Sequence, residues 1–438
     1  MTSKFCIVGA GSSGLAVAKN FRQRGIPFDC LEREDDIGGN WNFGKPHSSV
    51  YRSTRLISSK RLTEYVDFPM PDDWPEHPPH ALVLHYLRDY ARFFDLYSNI
   101  EFGTGVERIE RAAGAASGPA GWVVKLTDGR ERTYRGIVVA NGHNWDPRWP
   151  EYPGHFDGSV LHSSQYKEPN AARSRHVLVV GGGNSGFDIA TDVAAHAAVA
   201  FHSLRRSYHV LPRFSRGTPI DEVGEWMLRW RLPLWLRRLV SWPNGWRAWS
   251  PDVSACLPTP DHKLFETHPV INSRWPYDVA RGAVRVKPDV KELCGDSVAF
   301  ADGSRERIDL VIYATGYKIS FPFIDQNELN WRDGRPDLYL NIFHPEHDDL
   351  FVAGLIQPDS GQFGLVDYQA RLIAEYLVGI GRGTKSARRF QREKRTNQAA
   401  FHGRVRYVRT PRHLLEVEHF SYRQRMKQAI RRLGAAPG

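Results

Sequence analysis

The sequence predicts an α/β fold made of two copies of one strand–turn–helix module, the second inserted into the first and carrying a helical insertion of its own. Three observations predict it. Gly9-Ala10-Gly11-Ser12-Ser13-Gly14 follows the apolar run Phe5-Cys6-Ile7-Val8 and leads into the helix-like LAVAKNFRQRG. Gly181-Gly182-Gly183-Asn184-Ser185-Gly186 follows Val177-Leu178-Val179-Val180 and leads into FDIATDVAAHA. Each copy then continues through a hairpin to an apolar strand ending in a small-residue turn. A buried strand, a GxGxxG turn and a helix start are the context of a Rossmann-type dinucleotide fingerprint, and two in one chain are far more specific than one.

The elements follow in order. Trp122–Leu126 before Asp128-Gly129 reads as a hairpin, as does Val298–Phe300 before Asp302-Gly303. The strands that come next are Ile137–Ala140 with Asn141-Gly142, and Leu310–Tyr313 with Ala314-Thr315-Gly316. Beyond these, Leu350–Gly354 reads as a strand that returns to complete the first module, with a helix after Asp367. The expected division is 1–165 for the first part of module one, 166–318 for module two, and 319–438 for the return and C-terminal helices. Residues 219–276 form a Trp- and Arg-rich insertion, read as a helical cap.

Composition narrows the class. The chain has 438 residues, 41% apolar and 25% charged, as in ordinary soluble globular proteins. No apolar run is long enough for a membrane span, and the strand-like FCIV at the start leaves no room for a signal peptide. Cys6, Cys30, Cys256 and Cys294 are far apart, which removes disulfide-reductase and zinc-cluster readings and suits a cytoplasmic, reducing compartment. Asp261, His262 and His268 fit no metal-ligand spacing, so no metal is expected. The net charge of +10 comes with no nucleic-acid motif. Much of the excess lies between Arg382 and Arg432, mixed with acids and aromatics as on a solvated helical face. Sites for phosphate-bearing cofactors account for another share.

The glycines carry the binding reading. Gly9 and Gly181 permit the tight turn, Gly11 and Gly183 let backbone approach a pyrophosphate, and Gly14 and Gly186 allow close helix packing. Asn184 and Ser185 open the second helix, whose N-terminus offers free N–H groups to phosphate. The end of the second strand separates the two sites. Glu32 suits the ribose hydroxyls of FAD or NAD and repels a 2′-phosphate. Its counterpart stretch holds Ser203, Arg205 and Arg206, and guanidinium groups there suit the 2′-phosphate of NADPH. These residues describe a flavoprotein that uses NADPH.

Between the modules, Phe156-Asp157-Gly158-Ser159-Val160-Leu161-His162-Ser163-Ser164-Gln165-Tyr166 fits FxGxxxHxxxY. With Glu32-Arg33, Asp35 through Trp41, Asp67 through Asp73, and Ala314-Thr315-Gly316-Tyr317, it resembles the flavin-containing monooxygenases over nearly the whole chain. The resemblance implies FAD beside Gly39 and Trp41, and puts Thr315 and Gly316 of the family's ATG motif among the cofactor-binding residues. The segment from Gln357 to Gln362 would approach the isoalloxazine. It further implies that NADPH reduces the flavin, that O₂ adds at flavin C4a, and that one oxygen atom passes to a small-molecule substrate. His162 invites an acid–base role; we read it instead as fixing the linker between domains. Tyr166-Lys167 is similar to the branch that oxygenates nitrogen or sulfur, whereas the better-known Baeyer–Villiger enzymes carry Trp there.

One position departs from the family. Ile57 in Leu56-Ile57-Ser58-Ser59-Lys60 stands where many members place an Asn that stabilises the oxygen adduct. Baeyer–Villiger chemistry on a ketone, and a non-oxygenating NADPH oxidase or redox sensor, therefore stay open as alternatives. The basic, aromatic stretch Trp226–Val240 reads as a cap over the cavity or a subunit contact, as in a homodimer, rather than a membrane-surface helix, because Pro233 interrupts it.

Overall fold

The computed structural model describes residues 4–112, 121–206, 208–247, 260–267, 269–396 and 414–434. Its frame is ten strands: β1 (Phe5–Val8), β2 (Phe28–Leu31), β3 (Ile100–Glu101), β4 (Gly136–Val139), β5 (Ser159–His162), β6 (His176–Val180), β7 (Val199–Ser203), β8 (Val284–Lys287), β9 (Leu310–Tyr313) and β10 (Leu350–Val352). They form two five-stranded parallel sheets in the orders β10-β4-β1-β2-β3 and β5-β9-β6-β7-β8. Nearly every residue of β1, β4, β6 and β9 is buried, as strands covered on both faces require.

The two sheets match strand for strand, and each is completed from outside its own module. The edge strand of the first sheet, β10, comes after the second module in sequence. The edge strand of the second, β5, comes before it. Val352 reaches β4 at Val139, and His162 reaches β9 at Tyr313. The sequence reading grouped residues up to 165 with the first module. The pairing puts Ser159–His162 in the second sheet and Gly154–Phe156 parallel to Val290–Gly295 of the second module's smaller, mixed sheet. Ser159–His162 of the fingerprint thus pairs with the second sheet from a position ahead of that module in sequence.

Seven helices matter to the site: α1 (Ser12–Gln23), α2 (Asn184–Ala194), α3 (Ile220–Arg229), α4 (Leu234–Arg247), α5 (Trp275–Ala280), α6 (Phe363–Gly381) and α7 (His419–Gly434). The helix expected after Asp367 starts at Phe363, so Asp367 lies within it. There Asp367 is buried and bonded to Asn20 (2.7 Å) and Lys19 (2.8 Å) of α1. Leu15, Val17 and Phe21 of α1 share one core with Ile373 and Leu377 of α6 and Met426 of α7. The expected hairpins form, as Trp122–Leu126 with Glu131–Tyr134 and Ser297–Phe300 with Arg305–Arg307.

Among the described residues the insertion holds the helices α3 and α4. Its break falls at Pro233, with Arg231 in the left-handed region at φ 53° just before it. Residues 248–259 of the insertion, with Cys256, lie outside the described residues, as does His268. Among the described residues no helix is long and apolar enough to cross a membrane.

Candidate dinucleotide sites and the cavity beside them

At the first turn Gly9 adopts φ +101° and donates its N–H to Leu31 O at 2.8 Å. A Cβ there would sit 2.9 Å from the Ala140 carbonyl oxygen. A Cβ on Gly14 would collide with the Gly9 carbonyl, so this glycine lets α1 lie directly on the turn. Gly11 precedes α1 and has no side chain to cap it, which leaves first-turn N–H groups open to an anion. Gly39 (φ +51°) faces it, and a Cβ there would lie 3.1 Å from Gly11 Cα. Two bare glycine backbones thus oppose each other. Glu32 is buried, and its carboxylate accepts from Ala10 N (2.6 Å) and Glu34 N (3.0 Å). Burial pushes its pKa up. Trp41, half-buried, meets Phe363 edge-on at 6.3 Å. Gln357 is tied through its backbone N–H to Leu415 O at 2.8 Å.

The second turn repeats this geometry with different side chains. Gly181 has φ +133°, and a Cβ on Gly186 would collide with the Gly181 carbonyl. Gly183 precedes α2, again without a side-chain cap. Asn184 Oδ1 accepts from Ile271 N at 2.9 Å, so it fastens the turn as well as opening the helix. Ser185 is half-exposed beside it. The Tyr208 ring lies over Gly182, where a Cβ would strike it.

Register corrects one expectation. Val8 pairs with Leu31, and Val180 pairs with Ser203, so the structural counterpart of Glu32 is Leu204. Ser203 is buried and donates its hydroxyl proton to Pro288 O at 2.7 Å. Arg205 is exposed, and Arg206 Nε lies 3.0 Å from Asp261 Oδ2. Asp261 also meets His262 Nδ1 at 2.8 Å, and His262 Nε2 meets Thr267 at 2.8 Å. The Asp261–His262 pair therefore holds an arginine, and no group of metal-holding side chains occurs among the described residues.

His162 is buried, with Nδ1 accepting from Ser164 N (3.1 Å) and Nε2 facing Gly316 O (3.1 Å). A donor on Nδ1 places the proton on Nε2, which donates to Gly316. Burial lowers its pKa, so the ring is a neutral clasp. Thr315 Oγ1 donates to Arg148 O at 2.6 Å, and Tyr317-Lys318 pairs with Asp146-Pro147. These bonds bind together the two connections that cross between modules. Tyr166 OH donates to Asp192 of α2 at 2.8 Å, while Lys167 Nζ donates to the Ser48 carbonyl.

Ile57, half-buried, lines a cavity whose other walls are the insertion and the C-terminal segment. Asp221 of α3 stands at the junction. Its Oδ2 accepts from Ser59 N (2.8 Å), Ser59 Oγ (3.0 Å) and Ser360 Oγ (3.0 Å), while its buried Oδ1 has no partner. Arg237 of α4 is buried in the same wall. The aromatic face of the insertion points elsewhere: Trp226, Trp230 and Trp235 are exposed. Lys60, next to this segment, donates to the carbonyls of Pro71, Asp72 and Trp74 at 2.6–3.1 Å and is structural. Sequence reasoning did not single out Asp221, Lys60 or Tyr208.

Two uncapped helix N-termini on glycine turns, one backed by a buried carboxylate and one followed by arginines, define an oxidoreductase of the two-dinucleotide type. The chain belongs to the flavin-binding monooxygenase-like family, whose model matches residues 2–437. It is 35% identical over 402 residues to the dimethylaniline monooxygenase 2 (N-oxide-forming) of Rattus norvegicus, covering 87% of this chain and 74% of that one. The flavin-containing monooxygenase 2 of Homo sapiens is 35% identical over 400 residues with the same coverage. Among solved structures, S-allyl-L-cysteine S-oxygenase from Allium sativum superposes with TM-score 0.69 at 23% identity, over 98% of this chain and 89% of that one. Cyclohexanone monooxygenase from Rhodococcus sp. Phi1, bound to NADP⁺, gives 0.70 at 16% identity, over 98% and 97%. The protein is a monooxygenase dependent on FAD and NADPH. The bare glycine cradles and uncapped helix starts fit both dinucleotides.

Proposed function

We propose that the enzyme transfers one oxygen atom from O₂ to a soft nucleophile, nitrogen or sulfur, held in the cavity beside Ile57. The observation that carries this reading is the cavity itself. It joins Ile57, the position that the resemblance puts beside the flavin, to the insertion through Asp221 and to the C-terminal segment through Ser360. The N-oxide-forming relatives and the S-oxygenase neighbour support nitrogen or sulfur as the acceptor.

When bound, FAD supplies the redox chemistry, taking hydride from NADPH and passing electrons to O₂. The chain's own residues bind, orient and exclude water. Gly9, Gly11, Gly14 and Gly39 would cradle FAD, and Glu32, Trp41 and Gln357 would help to hold it. Gly181, Gly183, Asn184, Ser185 and Gly186 form the NADPH cradle. Arg205, which is exposed, would hold the 2′-phosphate, with Arg206 beside it on Asp261. Thr315 and Gly316, with His162, hold the crossing point between modules. Ile57 contributes an aliphatic wall that keeps water from the reacting centre. Free Cys6, Cys30 and Cys294 suit a reducing, cytoplasmic setting.

The test is product analysis of the FAD-loaded enzyme with NADPH, oxygen and a panel of one tertiary amine, one thioether and one cyclic ketone. An N-oxide or sulfoxide formed in proportion to NADPH is expected. A lactone from the ketone alone would replace this reading with Baeyer–Villiger chemistry, and peroxide without product would make the enzyme an oxidase.

A further inference from the structure

Each turn receives one clamp from the second strand of its sheet, and the two clamps differ. In the first module Glu32 takes the N–H of Ala10. In the second, Leu204 occupies that register and accepts nothing. Two residues earlier, along the same face, stand Cys30 and His202, which pair with Ile7 and Val179 respectively. Cys30 Sγ approaches the Gly9 carbonyl at 3.6 Å, the contact of a weak donor. His202 Nε2 lies 2.9 Å from the Gly181 carbonyl.

The histidine is held for this contact. It is fully buried, and the indole Nε1 of Trp275 meets its Nδ1 at 3.0 Å. An indole nitrogen only donates, so Nδ1 is the acceptor and Nε2 carries the proton given to Gly181. Phe187 of α2 packs edge-on against His202 (4.9 Å) and at a tilt against Trp275 (4.5 Å), closing the ring's environment. Trp275 is itself placed by Asn272, whose Oδ1 accepts from Trp275 N at 2.7 Å and whose Nδ2 donates to Asp188 of α2 at 2.7 Å. Gly181 sits at φ +133° with Gly186 against its carbonyl, so the direction of that carbonyl decides where the following amides point.

We propose that His202, oriented by Trp275, is a positioning residue that fixes the Gly181 carbonyl and thereby presents the turn's amides to the phosphates of NADP(H). The inference rests on reading the second turn as the NADPH cradle. Trp275 lies just beyond Ile271, which lines the substrate cavity and donates its N–H to Asn184. One short segment thus walls the cavity on one side and holds the dinucleotide turn on the other.

The test is calorimetric titration of FAD-loaded enzyme with NADP⁺, beside steady-state KM and kcat for NADPH. His202→Leu and Trp275→Phe should each raise Kd for NADP⁺ and KM for NADPH about tenfold, the cost of roughly one buried hydrogen bond. Flavin content and kcat at saturating NADPH should hold. His202→Gln, which can still donate to Gly181 and accept from Trp275, should bind within about twofold of wild type. Trp275→Phe leaves His202 in place and removes its N–H donor together with part of the indole, so it carries the test even where His202→Leu folds poorly, and unchanged flavin content and kcat show that the packing has held. Wild-type affinity in Trp275→Phe would overturn the proposal. So would an affinity in His202→Gln as weak as in His202→Leu, which would mean that packing alone matters. Wild-type enzyme that binds no NADP⁺ would overturn the cradle reading and this one with it.

Discussion

Glu32 holds its turn with both carboxylate oxygens, one on the Ala10 amide and one on the Glu34 amide. Replacing it with Gln turns one of those acceptors into an N–H₂ that faces an N–H. A hydrogen bond to a charged group is worth about 1.5–3 kcal/mol. Glu32→Gln should therefore weaken FAD retention by roughly 10- to 100-fold, since about 1.4 kcal/mol is tenfold. Flavin fluorescence released on dilution measures this. Release at the wild-type rate would show that the carboxylate neither shapes the turn nor meets the ribose. Glu32 was legible because an acid one position past a nucleotide strand is a local signal. His202 was not, since its partner Trp275 lies 73 residues away and neither residue belongs to a motif. Asp221 was hidden for the same reason, its contact with Ser59 spanning 162 residues.

At the scale of elements, the contact between helix and turn is closest at Gly14 and Gly186. Each lies against the carbonyl of the first glycine of its own turn, with no room for a methyl group. Gly14→Ala and Gly186→Ala should each push a helix N-terminus off its strand, an overpacking cost of about 1–3 kcal/mol. The effects should separate by site. Gly14→Ala should purify with little flavin, whereas Gly186→Ala should keep its flavin and lose NADP⁺ affinity. Absorbance of the purified proteins and NADP⁺ titration distinguish them, and flavin loss in Gly186→Ala would mean the cradles are assigned the wrong way round. The strands, turns and hairpins were readable because each is a short run with its own signal. The ownership of β5 was not, because an edge strand is defined by its partner, and the pattern of Ser159–His162 says nothing about which sheet receives it. The insertion was readable as helical and as interrupted at Pro233. Which of its faces lines the cavity depends on packing against Ile57 and Ser360, far away in sequence.

At the scale of the molecule, the first sheet is completed by β10 from beyond the second module and the second by β5 from ahead of it, and two crossing connections are bonded to each other at Thr315 and Gly316. Neither module can lose its edge without disturbing its neighbour, so one cooperative unfolding transition is expected. Histidines buried in both modules feed it. Burial lowers the pKa of His143 and of His202 to about 4, and that of His344 to about 3, from 6.5. These groups stay neutral in the fold and take up protons once unfolded, so their effect is absent above pH 6.5 and destabilises increasingly as pH falls toward 4. For the fully buried His202 the loss is roughly 1.4 kcal/mol by pH 5.5, one unit below the unfolded pKa. Asp188 works in the opposite sense: burial raises its pKa from 3.8 to about 6, so its charged form costs stability above pH 6 and that cost is relieved only as pH falls through 6. Between pH 7.5 and 6 the histidines should therefore dominate, and the thermal midpoint of the FAD-loaded enzyme should fall as the solution is acidified. His202→Gln, which cannot titrate, should lose less than wild type over the same range, so the gap between their midpoints should close or reverse by pH 5.5. Parallel curves for the two proteins would show that His202 is already charged in the fold, and would contradict the neutral tautomer that its two hydrogen bonds require.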